Sequence, residues 1–177
     1  LRDKLDGAET HLRTGAAAGG GQETTAAQLT GRQWSTGRAL FSYQYYERTA
    51  LAASDRRYAA NSDKTAFGGS NRSSFRASPG NILDPVTLMP VFAIPRGQDG
   101  TALDVSNLLP GSVNFHNKSE GQLLLPDKQI HNVYLNAAQA IGERHEVFAE
   151  GRLTRRRIDW QSQAEERLLV VPSTHPH

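Results

Sequence analysis

The chain has 177 residues, a formal net charge of +2 at pH 7, no cysteine and 37% hydrophobic residues. That length fits one ordinary domain, and the missing cysteine excludes disulfides, thiolate metal sites and a cysteine nucleophile. The balanced charge does not mark a nucleic-acid binder, and no run approaches the ~20 apolar residues of a membrane helix, which leaves a barrel of ~10-residue alternating strands open.

Residues 1–6, LRDKLD, are short and charged. With neither a methionine nor a charged-then-apolar leader at Leu1, and a strand-like run near His177, the chain reads as a piece of a longer polypeptide. A first strand is expected over about 8–14, where Glu9, His11 and Arg13 alternate with Ala8, Thr10, Leu12 and Thr14. The glycine-rich stretch 15–21 reverses it. A second strand is expected over 22–34, with Thr25, Ala27, Leu29 and Gly31 on one side, then a tight turn at Ser35-Thr36-Gly37. The third, 38–48, sets Ala39, Phe41, Tyr43 and Tyr45 against Ser42, Gln44, Tyr46 and Arg48. A period of two is the mark of extended chain, because successive side chains point to opposite sides of a sheet.

The alternation stops over 49–127, a long loop rich in Ser, Asn, Asp, Gly and Pro. Insertions of that length in compact domains are functional or disordered. Within it 85–95 has room for short extended pieces, although its prolines argue against a central strand. The alternation resumes over 128–141 and 146–160 around a polar turn, Gly142-Glu143-Arg144-His145. Val133, Leu135, Ala137 and Ile141 form one row of the first run, and Val147, Ala149, Gly151 and Leu153 one row of the second. Residues 158–171 continue as extended chain up to Pro172. The connections alternate between short and long. In an antiparallel meander every second connection lies at the same end, so one end carries tight turns and the other the long excursions. Outer-membrane barrels have that asymmetry. The tyrosines and Trp34 near strand ends suit interfacial aromatic girdles as well as they suit ordinary cross-strand packing.

Several chemistries find little support. His11, His116, His131 and His145 follow no metal-ligand spacing. Glu146, Glu150 and Arg152 share one face of a strand and read as solvated charges that pair with neighbours rather than an acid–base pair. Ser54, Ser70 and Ser73 lack a nucleophile-elbow context. Neither Gly68-Gly69 nor Gly19-Gly20-Gly21 is followed by the Lys-Ser/Thr of a phosphate loop. Arg155-Arg156-Arg157 reads as a solvated strand end. No catalytic, cofactor or metal residue is therefore expected. The long loop, with Asp55, Arg56, Arg57, Asp63, Lys64, Arg72 and Arg76, is the best candidate region for ligand contact, because guanidinium groups suit anionic ligands.

Taken in order, these segments resemble one family. LRDKLDGAETHLRTG is similar to the junction where the plug of a TonB-dependent outer-membrane receptor passes into its first barrel strand. SYQYYERTALAASDRRYAANSD resembles the third strand and following loop of one large branch, with FGGSNRSS and SPGNI as that loop's continuation. LLPDKQIHNVYLNAAQAIGERHEVFAEGRLTRRR is similar to the next hairpin. The resemblance implies an all-β, antiparallel up-and-down meander, a partial arc of a 22-stranded transmembrane barrel with one long extracellular loop. Residues 1–6 would be the plug-to-barrel junction and 7–177 the N-terminal part of the barrel. It also implies energy-coupled uptake of a scarce nutrient such as a ferric siderophore, the inner-membrane TonB complex and outer-membrane lipid as partners, a Gram-negative outer-membrane location and no enzymatic activity. Plug, TonB box and later strands lie outside this sequence. The alternatives are a soluble β-rich binding or adhesion module and part of a passive porin.

Overall fold

The structure, a computed structural model, describes residues 5–99, 101 and 103–171. The expected junction therefore lies mostly outside the described residues, as does the stop at Pro172. The chain divides into two compact units: Leu1–Asp55 with Leu123–Gln161, and Arg56–Gln122 with Ser162–His177.

The first unit is built on five antiparallel strands. They are β1 (Gly7–Gly15), β2 (Glu23–Trp34), β3 (Gly37–Arg48), β9 (Asp127–Ile141) and β10 (His145–Asp159), paired in the order β1-β2-β3-β9-β10. A small pair, β4 (Leu51–Ala52) with β8 (Leu123–Leu125), flanks them. Sequence neighbours are sheet neighbours except where the long loop intervenes, so the meander is up-and-down. The ladder β3–β9 pairs Gly37 with Gln139 and Arg48 with Lys128. It therefore places the β2–β3 and β9–β10 turns at one end of the sheet, and the glycine loop and the two points where the insertion leaves β3 and enters β9 at the other. The sheet is open, and among the described residues β1 and β10 each leave one edge unpaired. Strand character ends at Asp159, so the extended stretch 160–171 carries no ladder.

Register assigns every side chain to a face. One face carries Ala8, Leu12, Ala26, Ala39, Phe41, Tyr43, Tyr45, Val133, Leu135, Ala137, Val147, Ala149 and Leu153. The other carries Glu9, His11, Ser42, Gln44, Tyr46, Asn132, Tyr134, Asn136, Glu150 and Arg152. The row Thr25, Ala27, Leu29 and Gly31 falls on this polar face, and the β2 residues on the apolar face are Thr24, Ala26, Gln28, Thr30, Arg32 and Trp34. Both rows of β2 are weakly apolar, so parity within the strand does not orient it; pairing with β3 does.

Several large side chains of the apolar face are exposed, while Tyr43, Tyr45 and Val133 are half-buried. Leu12 is 74% exposed, Leu153 69% and Val147 56%. Among the described residues the buried hydrophobics are Leu40, Leu51, Ala53, Ala93, Leu108 and Ala138.

On the polar face, Gly31 allows a close crossing. A Cβ there would lie 2.6 Å from the Leu5 carbonyl oxygen and 3.0 Å from its Cβ. Leu5 thus lies over the polar side of β2, and Leu40, the register partner of Gly31, is buried.

The second unit holds a three-stranded sheet in the order β5 (Asn81–Leu83), β6 (Pro90–Ala93), β7 (Leu109–Pro110). Against expectation, a proline-bearing strand is central. Pro90 opens β6 at a first position, where the missing N–H costs no interior ladder bond. The unit is held by amides more than by a core. Asn114 Nδ2 donates to the carbonyls of Gly80 (3.1 Å) and Ile94 (2.7 Å), and its own N–H donates to Asn81 Oδ1 at 2.8 Å. Asn117 Nδ2 donates to Ala60 O (2.8 Å) while its Oδ1 accepts from Ser62 N (2.8 Å). Lys118 Nζ lies 3.7 Å from Glu166 Oε1.

Truncating Asn114 to Ala removes its two hydrogen bonds to the Gly80 and Ile94 carbonyls, a loss of about 2 kcal/mol at ~1 kcal/mol each. Limited proteolysis should then cut residues 80–95 markedly faster while the five-stranded sheet keeps its circular-dichroism signal.

Candidate functional site

The sequence-derived candidates do not converge on one centre. His11 lies on the polar face and His131 on the apolar face. His145 is at the start of β10, and His116 bridges Ser74 in the second unit, its Nδ1 4.0 Å from Glu120 Oε2. Among the described residues no group of three or more His, Asp or Glu is placed to hold a metal ion. Glu146, Glu150 and Arg152 do share the polar face. Glu146 Oε2 lies 3.9 Å from Arg38 Nη1, with the two side chains 55% and 30% exposed, a pairing worth at most about 1 kcal/mol. Glu150 and Arg152 border a shallow depression of about 390 Å³ that Leu29, Ser42, Gln44 and Asn132 also line.

The loop residues are put to local use. Arg57 lies over the Phe67 ring at 5.5 Å, and Lys64 Nζ donates to the Tyr58 carbonyl. Asp63 Oδ1 accepts from Thr65 N at 3.0 Å and Thr65 Oγ1 at 2.7 Å. The same device recurs at Asp84 with Thr87, Asp99 with Thr101 and Asp104 with Ser106. These short aspartate turns fix the loop backbone at tips where no core is available. At Asp84 the Thr87 amide, then its hydroxyl, then the Val86 amide hold the carboxyl below its ordinary value of 3.8.

Two features of the sheet emerge only from the register. The first is on the apolar face. Gln139 accepts from Trp34 Nε1 through its Oε1 at 2.9 Å. At the other end of the same β9 row, Gln129 Nε2 donates to the Tyr45 hydroxyl at 3.1 Å, and Tyr43 Oη lies 2.9 Å from His131 Nδ1. Between the two glutamines the outward residues of β9 are Val133, Leu135 and Ala137, besides His131. Each end of the apolar stretch is thus closed by an amide bonded to an aromatic ring.

The second feature is on the polar face at the long-loop end. The last two rows bring together Arg13, Arg48, Lys128 and Arg156, with Glu23 as the one acid. The triplet 155–157, read from sequence as one solvated cluster, is split by the pleat: Arg156 faces the polar side, Arg155 and Arg157 the apolar side.

No family model matches the chain, and comparisons with curated proteins and with solved structures return no significant match.

Because the aspartate carboxyls are depressed in the folded loop, their stabilisation is complete above the ordinary value and is lost as pH falls through the lowered folded values. Amide-exchange protection at Val86 and Thr87 should therefore stay level from neutral pH down to about pH 5 and fall away below 3.8, and Asp84→Asn should abolish that acid dependence.

Proposed function

We propose that the chain forms the first strands of the transmembrane barrel of a TonB-dependent outer-membrane receptor, working in energy-coupled uptake of a scarce nutrient such as a ferric siderophore. The observation that carries the membrane part of this reading is the spacing of the two amide–aromatic pairs on β9. Gln129 and Gln139 are ten positions apart, about 34 Å along a strand. At the ~40° tilt of membrane barrels this becomes roughly 26 Å, against an apolar band of about 25 Å bounded by aromatic girdles.

Three further observations support the reading. The apolar face is exposed where a soluble sandwich would bury it. The register sorts short turns to one end and long connections to the other, as outer-membrane barrels do. Leu5 runs over Gly31 on the polar side, so the chain reaches its first strand from the face that would line the lumen, where a plug would sit. The free edges of β1 and β10 would pair with further barrel strands, since an open edge is not tolerated in lipid. The uptake part of the proposal rests on the ordered family resemblance. In this reading the second unit is an extracellular flap, and its aspartate turns and asparagine bridges keep it folded without a core.

The test compares adjacent residues of β9. Leu135→Arg places a charge on the outward face, which costs ~2–4 kcal/mol near a bilayer midplane, whereas Asn136→Arg places it on the polar face. In a Gram-negative host the first should deplete the protein from the outer-membrane fraction and the second should leave it there. Equal behaviour of the two variants, or a water-soluble monomer that melts cooperatively, would sink the proposal. Loss of nutrient-limited growth on deletion of the TonB complex tests the coupling.

A further inference from the structure

The cluster at the long-loop end of the polar face contains a directly opposed pair of like charges. Arg48 on β3 and Lys128 on β9 are direct register partners. Like charges directly opposite across a ladder are destabilising. Lys128 has no acid beside it on this face, its other register partner being Ile158. Arg48 stands opposite Glu23 on β2, so one acid is shared among four cations. Among the described residues the ion pairs involve Arg38, His116, Lys118, Arg157 and Arg167, and none involves Arg13, Arg48, Lys128 or Arg156. Instead the two cations are steered. Arg48 Nε and Nη2 both donate to the Pro126 carbonyl at 3.4 Å, and Lys128 Nζ lies 5.7 Å from the centre of the Tyr46 ring. The one acid of these rows, Glu23, accepts from the Tyr46 hydroxyl at 3.2 Å.

Two more cations extend the group on the same face. Arg156 pairs with Ile130 and so lies diagonal to Lys128, about 7–8 Å away at the backbone. Arg13, on β1, sits in the row of Thr25, Tyr46 and Ile130. Acids do occur at this level of the sheet, but Glu47, Asp127 and Asp159 are on the opposite face with Arg155 and Arg157. Toward the tight-turn end the polar face is balanced, with Glu9, Glu146 and Glu150 set against Arg38 and Arg152. The positive charge is thus confined to one face and one end.

We infer that Arg48, Lys128 and Arg156, with Arg13 at the flank, form a binding site for a small multivalent oxyanion, a polycarboxylate or polyphosphate group. Such an anion converts the like-charge pair from a cost into two charge-assisted contacts, and guanidinium groups bind either oxyanion in a bidentate fashion. The inference rests on the receptor reading for its biological sense, since in that reading this face would line the lumen. It narrows the nutrient to a negatively charged one, because a neutral or cationic ligand gains nothing from this charge distribution.

The test is calorimetric titration of the detergent-solubilised chain with inorganic pyrophosphate and, separately, with tricarballylate; spermidine and a neutral disaccharide serve as controls. Saturable binding of one or both anions and neither control is expected, weakening as salt rises from about 50 to 500 mM. The double variant Arg48→Gln/Lys128→Gln should lower affinity by about tenfold or more, the scale of a lost charge-assisted hydrogen bond. Arg156→Gln should lower it by a smaller factor. Arg155→Gln, at the same height on the opposite face, should leave it within about twofold, as expected of exposed charge outside the site. Arg48→Gln relieves the opposed pair but also gives up the bonds to the Pro126 carbonyl and the Glu23 partner, so its effect is read on anion affinity and not on the melting temperature. Absence of anion binding, equal binding of the controls, or an equal loss in Arg155→Gln overturns the inference. The outer-membrane fractionation of Leu135→Arg and Asn136→Arg reports on the membrane reading separately, so either idea can fail while the other stands.

Discussion

One register governs this molecule: the antiparallel pairing of β3 with β9 across the long insertion. It joins two hairpins that are otherwise local. The β2–β3 and β9–β10 turns are short and fix their own pairings, so each hairpin is internally determined. Nothing local says which row of one hairpin faces the same way as which row of the other. The ladder from Gly37–Gln139 to Arg48–Lys128 makes that choice. It aligns Phe41 with Leu135 and Tyr43 with Val133, merging two amphipathic ribbons into one apolar surface. In water such a surface would close on a partner layer. Here much of it is exposed, and among the described residues few hydrophobic side chains are buried; under the membrane proposal the surroundings supply the apolar contact.

The two units solve the problem of a missing core differently. The sheet relies on its ladders, which satisfy the backbone polar groups of its three inner strands. The insertion has little regular ladder and few buried apolar groups, so its backbone is satisfied by side chains. Asparagine reaches carbonyls far away in sequence, such as Asn114 to Gly80 and Asn117 to Ala60. Aspartate bonds the amides two or three residues ahead. Such a segment can stay folded with most of its surface wetted.

How much of this was legible beforehand differs by element. The rows of β3, β9 and β10 were readable because one parity in each is plainly more apolar than the other, and their ends fall within a residue or two of the alternation. β2 was harder: Thr25, Ala27, Leu29 and Gly31 look as apolar as Ala26, Gln28 and Thr30, and only pairing with β3 turns Leu29 inward. The fold of the insertion was hidden because its organising bonds join residues separated by long stretches, such as Asn81 and Asn114, and no local pattern marks which asparagine meets which carbonyl. Pro90 misled for a definable reason: proline excludes strand interiors, not strand starts. The opposed cations were invisible because Arg48 and Lys128 stand on either side of the insertion, and Arg156 looked like one member of a contiguous triplet whose residues in fact alternate faces.

Those hidden features and the visible ones share a single determinant. If β9 slipped by one residue against β3, Gln129, Val133, Leu135 and Gln139 would turn to the polar side, and Lys128 would leave Arg48 for the outward face. The apolar stretch bounded by its two amide–aromatic pairs and the cation cluster would disappear together, although they stand on opposite surfaces and share no side chain. The outward surface therefore specifies the inward one. A row of modest hydrophobes, satisfied only when Val133 and Leu135 sit beside Tyr43 and Phe41, holds in register two positive charges that would otherwise move apart. The stability of that row is what allows the polar face to keep Arg48 and Lys128 opposed, an arrangement that an isolated hairpin with weaker pairing would relieve by shifting.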